Sequence, residues 1–137
     1  MYTINFWPIL ISAITSFGIG ALWYSPMLFG KEWMELMKLN SSDINSIGTK
    51  SMAGSYAIHI IANIVSFGVL AFIIAISSAT GASDGAFIGF IAWLGFAAPI
   101  AVSNLLWRRD SIKLVAIDTL QILIGLIVSG AIIGAWK

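Results

Sequence analysis

His59 and Asp118 are the titratable side chains, tyrosines aside, that lie well inside the long apolar runs of this chain. A carboxylate beside an imidazole raises its affinity for a proton and stabilises one tautomer. Such a pair can relay a proton, hold a cation, or act as general acid and base. At helical spacing, His59 shares an arc with Ser55, Asn63 and Ser66. Asp118 shares another with Gln121, Gly125 and Ser129. Asn104 and Tyr24 add polar groups from two further runs. Polar groups within a bilayer are expensive and mark function by default.

The elements that must position these groups follow from charge. Residues 1–30, 51–83 and 85–107 contain no Asp, Glu, Lys or Arg, and residues 114–136 contain Asp118 alone. One helical crossing of a bilayer takes about 20 apolar residues. Hydrophobic residues make up 59% of the chain and charged residues 9%, against about 25% charged in soluble domains. Four such runs would leave a soluble protein no water-facing surface. The expected fold is all-α: an integral membrane four-helix bundle in a single domain, 1–137. Its helices are expected at about 5–25, 50–78, 85–107 and 112–136, with a short interfacial amphipathic helix at about 28–38 between the first two.

Local signals refine this layout. Asn5 can cap the first helix, Pro8 fits its first turn, and Pro26 ends or kinks it. Ser12, Ser16 and Gly20 form a small-residue stripe that lets a neighbouring helix come close. Between Met27 and Leu39, one face carries Phe29, Trp33, Leu36 and Met37, and the other Lys31, Glu32, Glu35 and Lys38. That pattern suits a helix lying in the headgroup region. Residues 40–43 read as a turn. Pro99 predicts a kink in the third helix. Gly85 with Gly89, and Gly130 with Gly134, form small-xxx-small pairs that offer close helix contacts, including between copies of the chain. Trp7, Trp23, Trp33, Trp107 and Trp136 fall near the expected membrane borders and read as an anchoring belt, with Trp93 at mid-depth as core packing.

Four crossings place both termini on one side. Lys31, Lys38, Lys50, Arg108, Arg109 and Lys113 then share the other, and Lys137 alone lies with the termini. Basic loops stay cytoplasmic, so both termini are expected outside. At about 1.5 Å per residue, Asp118 lies roughly 7 Å beyond Lys113, Gln121 roughly 12 Å beyond it, and His59 roughly 13 Å beyond Lys50. Asn104 lies roughly 6 Å from Arg108 on the same scale. The strongest polar groups of three helices therefore share one level in the cytoplasmic half.

Several functions have no sequence support. Cysteine is absent, which excludes disulfides, thiol catalysis and thiolate metal sites. The one histidine does not supply a multi-histidine haem or zinc site, and no cofactor or metal is expected. No phosphate loop, nucleophile elbow or HExxH occurs. No basic run suggests nucleic acid.

The stretch from Gly20 to Met34, GALWYSPMLFGKEWM, carries an aromatic pair, a proline and a Gly-Lys-x-x-Trp at fixed spacing. It resembles the signature of an uncharacterised bacterial membrane family, domain of unknown function 1761. The matching positions are Gly20, Trp23, Tyr24, Pro26, Phe29, Gly30 and Trp33. The resemblance covers essentially the whole chain. It implies a first helix ending in this turn and three helices after it, and it implies no biochemical role. Physically, Pro26 turns the chain at the bilayer edge, Gly30 permits a tight bend, and Lys31 can reach lipid phosphate or a cavity mouth.

Two readings of the polar arcs stay open. One is a cytoplasm-facing polar cavity formed by His59, Asn63, Asn104, Asp118, Gln121 and Tyr24. The other is a set of hydrogen-bonded latches between helices. The cavity reading leads to a homo-oligomer in the bacterial inner (plasma) membrane that moves or senses a small solute or a proton. Its alternatives are a membrane-embedded enzyme acting on a lipophilic substrate and a structural or accessory subunit. Catalytic residues and ligand are unknown at this level. The expected partners are the lipid bilayer and further copies of the chain.

Overall fold

The computed structural model describes residues 2–137. Helix α1 spans Phe6–Trp23. The Asn5 carboxamide oxygen accepts from the Trp7 amide at 3.1 Å, which satisfies one of the amides a helix start leaves unpaired. After α1 the chain turns at Ser25 and Pro26 into a short helix α2, Gly30–Leu36. A second short helix, α3 at Ser41–Asn45, stands where the sequence reads as a turn. The reason is a reciprocal cap: Asn40 accepts from the Asp43 amide, and Asp43 accepts from the Asn40 amide.

Helix α4 spans Thr49–Ile76 and follows Gly48, whose φ of 80° is cheap only for glycine. Helix α5 spans Ala82–Arg108 and α6 spans Ile112–Ala135. Ser111 caps α6 by accepting from the Leu114 amide at 3.1 Å. In α5, a π-helical turn at Trp93–Ala97 precedes Pro99. A widened turn absorbs a residue that lacks an N–H and crowds the preceding turn. Helices α1, α4, α5 and α6 are each long and apolar enough to cross a membrane. The molecule is an all-α membrane bundle.

Helix α6 is the axis of the bundle, with α1 and α5 packed along it. Gly20 lies against Gln121 and Gly125 against Ser16, so four residues down α1 match four residues up α6. The same antiparallel register carries Ser12 to the level of Ser129, and these two residues are 0% and 1% exposed. The stripe of small residues on α1 is thus the seam that admits α6.

The seam between α5 and α6 is tighter still. A Cβ on Gly85 would strike the backbone of Gly130, and one on Gly134 would strike the backbones of Gly81 and Gly85. A Cβ on Gly89 would strike the Leu126 carbonyl. In lipid no hydrophobic gain drives helices together, so backbone contact of this kind carries much of the packing. Gly85 interlocks with Gly130 and Gly134 within one chain, and Gly89 meets Leu126, so these glycines serve the α5–α6 seam.

Helix α4 is held at one end. Its buried residues, Phe67, Leu70, Ala71 and Ile74, meet Ile9, Ala13 and Ile133 in a core near the chain termini. There the Lys137 ammonium donates to the carbonyls of Ile74 and Ser77, both at 2.9 Å, and caps the end of α4. The other half of α4, from residue 53 to residue 62, is exposed apart from half-buried Ile60. The bundle is therefore packed at the end that holds the termini and opens at the end that holds α2.

Candidate functional site

The open end is organised around three consecutive residues of α6. The Trp23 indole donates to the Ile117 carbonyl at 3.0 Å, the Trp33 indole to Asp118 Oδ1 at 3.1 Å, and the Trp93 indole to the Thr119 carbonyl at 3.0 Å. Successive helical residues point about 100° apart. Tryptophans from the end of α1, from α2 and from α5 therefore grip α6 from different sides at one level. A helical carbonyl that already takes its own N–H keeps a second lone pair for such a donor.

Asp118 receives a second donor. The Tyr24 hydroxyl reaches the same Oδ1 at 2.6 Å. The Tyr24 and Trp33 rings meet edge to face with centroids 5.5 Å apart, and Trp23 and Phe29 lie 4.7 Å apart. Gly30 makes this arrangement possible. It is buried against the Tyr24 and Ser25 backbone, where a Cβ would overlap the Tyr24 carbonyl. Its amide donates to the Ser25 carbonyl at 2.9 Å, and the Phe29 amide donates to the Trp23 carbonyl at 3.0 Å. The elbow from Trp23 to Trp33 thus folds under α1 and brings its aromatic groups to Asp118. Lys31 points out and is exposed, while the neighbouring Glu32 pairs with Lys113 of α6 at 3.1 Å on the surface.

This geometry divides the tryptophans differently from the sequence reading. Trp7, Trp107 and Trp136 are 64%, 83% and 52% exposed, as an anchoring belt requires. Trp23 and Trp33 are half-buried, with their N–H groups turned to α6. A buried indole N–H seeks an acceptor, and α6 supplies one to each.

Behind Tyr24 lies a cavity of about 680 Å³ between α1, α4 and α6. Phe17, Tyr24, Ser55, Tyr56, His59 and Gln121 line it, and Gly20 and Ala21 leave it room. The volume falls in the range of small-molecule pockets, about 300–1,000 Å³. Phe17 packs edge-on to Tyr56 at 5.6 Å and tilted against His59 at 6.1 Å. The cavity exists because α4 leans on α1 through these rings and is not closed against α6 at this level.

The sequence-derived site residues separate into groups. Tyr24, His59 and Gln121 share the cavity. Asp118 stands one side chain away, bonded through Tyr24 and not to His59. Asn63, one turn beyond His59, has its amide nitrogen buried with no hydrogen-bond partner. Asn104 is half-buried in the π-helical end of α5, where its carbonyl accepts from the Asp110 amide at 3.3 Å, and it does not line the cavity. Ser66 is exposed. Phe17 and Tyr56 were not singled out from the sequence. Tyr56 sits three residues before His59 and so on the same helical face, which was the available signal.

Among the described residues no cation pairs with Asp118. Arg108 pairs with Asp110 at 3.4 Å, Lys113 with Glu32, and Lys137 with backbone carbonyls. No group of three or more His, Asp or Glu side chains fit to hold a metal ion occurs among the described residues.

The chain belongs to the family described as "Protein of unknown function (DUF1761)", whose model matches residues 7–134. That span contains the whole elbow and every cavity residue. No curated protein and no solved structure matches the chain.

Proposed function

We propose that this protein binds a small solute in the cavity between α1, α4 and α6 and senses or moves it. The observation that carries this reading is the convergence of Tyr24, His59 and Gln121, from three helices, on one cavity. A set of separate latches would leave no such space. The six basic residues at the open end support a cytoplasmic mouth and external termini, and the basic bias is the rule of plasma-membrane proteins.

The bundle is closed on the side of the termini. Toward the termini, Ser12 and Ala13 are 0% exposed, Phe67 3% and Ile74 1%. This favours binding and sensing within one chain. Transport would require α4, held mainly by its far half, to swing, or a second copy to complete a path. A homo-oligomer would also wall the side left open at Ala21 and Tyr56, which are both exposed. The same lateral opening favours a second reading, an enzyme that admits a lipophilic substrate from the bilayer with His59 as its acid–base group.

Single cysteines in this cysteine-free chain test the reading. An impermeant thiol reagent applied from the cytoplasmic side should label the Ser42→Cys, His59→Cys and Gln121→Cys variants. Ser83→Cys should label only from outside, and Ser12→Cys and Ser129→Cys from neither side. Labelling of Ser42→Cys from outside would reverse the orientation. Unreactive cysteines at both cavity positions would leave only the latch reading standing.

A further inference from the structure

We infer that the cavity takes a lipophilic organic cation, of the quaternary ammonium or phosphonium kind. The inference rests on the binding-site reading above and names the ligand class. Three observations point to positive charge. The cavity wall carries no Lys or Arg and presents the rings of Phe17, Tyr24 and Tyr56. A cation is attracted to the face of such rings within about 6 Å of the centroid. Behind that wall stands Asp118, the one carboxylate within the four spans apart from Asp84 at the start of α5.

Asp118 has donors but no counter-charge. Tyr24 and Trp33 both donate to Oδ1, both are neutral, and no described residue donates to Oδ2. Of the basic residues at this end, Arg108 pairs with Asp110 and Lys113 with Glu32, and no basic side chain bonds Asp118. Asp118 is half-buried, and a carboxylate within a span is favoured by a cation held near it. Tyr24 connects the two features: its ring lines the cavity and its hydroxyl binds Asp118. Hydrogen bonding to the carboxylate polarises the phenol and enriches the ring face that a cation would meet.

The site is wide and has three aromatic rings in its wall, which suits a bulky, weakly hydrated cation better than a small metal ion, which needs converging oxygen ligands. An anion would face the Asp118 charge across one side chain. Gln121 and Ser55 supply hydrogen bonds for a polar substituent on the ligand.

The test uses two probes of one shape and opposite charge, tetraphenylphosphonium and tetraphenylborate. Their equilibrium binding to the detergent-solubilised full chain should show a saturable phosphonium site and none for the borate. Asp118→Asn keeps an oxygen for Tyr24 and Trp33 and removes the charge. It should weaken phosphonium binding about tenfold, as should Tyr56→Leu, which removes one ring. Tyr56 is exposed and keeps the test decisive should Asp118→Asn not fold. Equal binding of the borate, or phosphonium binding unchanged in both variants, would overturn the cation assignment. Cavity cysteines that still label in that case would leave the binding-site reading intact, and their loss would remove both.

Discussion

Tyr24 and Asp118 meet at 2.6 Å across 94 residues of sequence, joining the end of α1 to α6. This hydrogen bond is the point where the elbow, the α6 axis and the cavity wall come together. An O–H···O bond of this length lies at the short end of the normal range. It also answers the cost of a carboxylate in a span, about 2.5–3.5 kcal/mol at mid-membrane and less toward the edge.

Removal of both partners should therefore cost less than the two single removals added together. Tyr24→Phe and Asp118→Leu should each destabilise the bundle by about 1–3 kcal/mol. The double variant should cost less than the sum of the two. Asp118→Asn should be milder than Asp118→Leu. Unfolding in mixed micelles on titration with a denaturing detergent measures all four. Strict additivity of Tyr24→Phe and Asp118→Leu would mean that the hydroxyl and carboxylate do not interact.

Trp33 should behave as a docked residue and not as a free interfacial anchor. With the other tryptophans replaced by Phe, or as many as the fold allows, its emission should be poorly quenched by brominated lipids at any depth. Asp118→Leu should increase that quenching, because the indole loses its acceptor. Trp107, 83% exposed, serves as the lipid-accessible reference. Trp33 quenched as strongly as Trp107 would refute the docking.

The glycine seam should tolerate nothing larger. Gly85→Val and Gly130→Val each place carbon inside a facing backbone, so the α5–α6 contact must part. The expected loss is about 3 kcal/mol or more, in the range of severe overpacking. Gly95→Ala and Gly68→Ala meet open space and should be neutral or slightly stabilising. The same detergent titration distinguishes the two classes. Since the seam lies within one chain, Gly85→Val should lower stability without changing the molecular mass seen by light scattering.

Much of the layout was legible in the sequence because a bilayer constrains it so strongly. Runs without charge had to become helices, since backbone groups in lipid must pair within their own segment. Asn5 announced a helix start by local capping chemistry, and the Ser12, Ser16 and Gly20 stripe announced a close neighbour. The residue pattern of the elbow also sufficed to suggest the family. These properties depend on neighbours within a few residues or on mean polarity, and a linear chain carries both.

What the chain itself did not decide was which faces meet. Helical rise gives an expected depth for His59, Asn104 and Asp118, but depth is one coordinate of two. Rotation of each helix about its axis depends on which small residues interlock, and Gly85 met Gly130 within the chain where sequence alone allowed a second copy. That seam, with the α1 stripe, turned Asp118 toward Tyr24 and Trp33 and left His59 in the cavity with Gln121. Trp23 and Trp33 looked like interfacial anchors because their distance from the span ends is that of anchors. Only the folded elbow, closed over Gly30, put their N–H groups within reach of α6 acceptors, and a donor withdrawn from water takes the nearest acceptor that the tertiary structure offers.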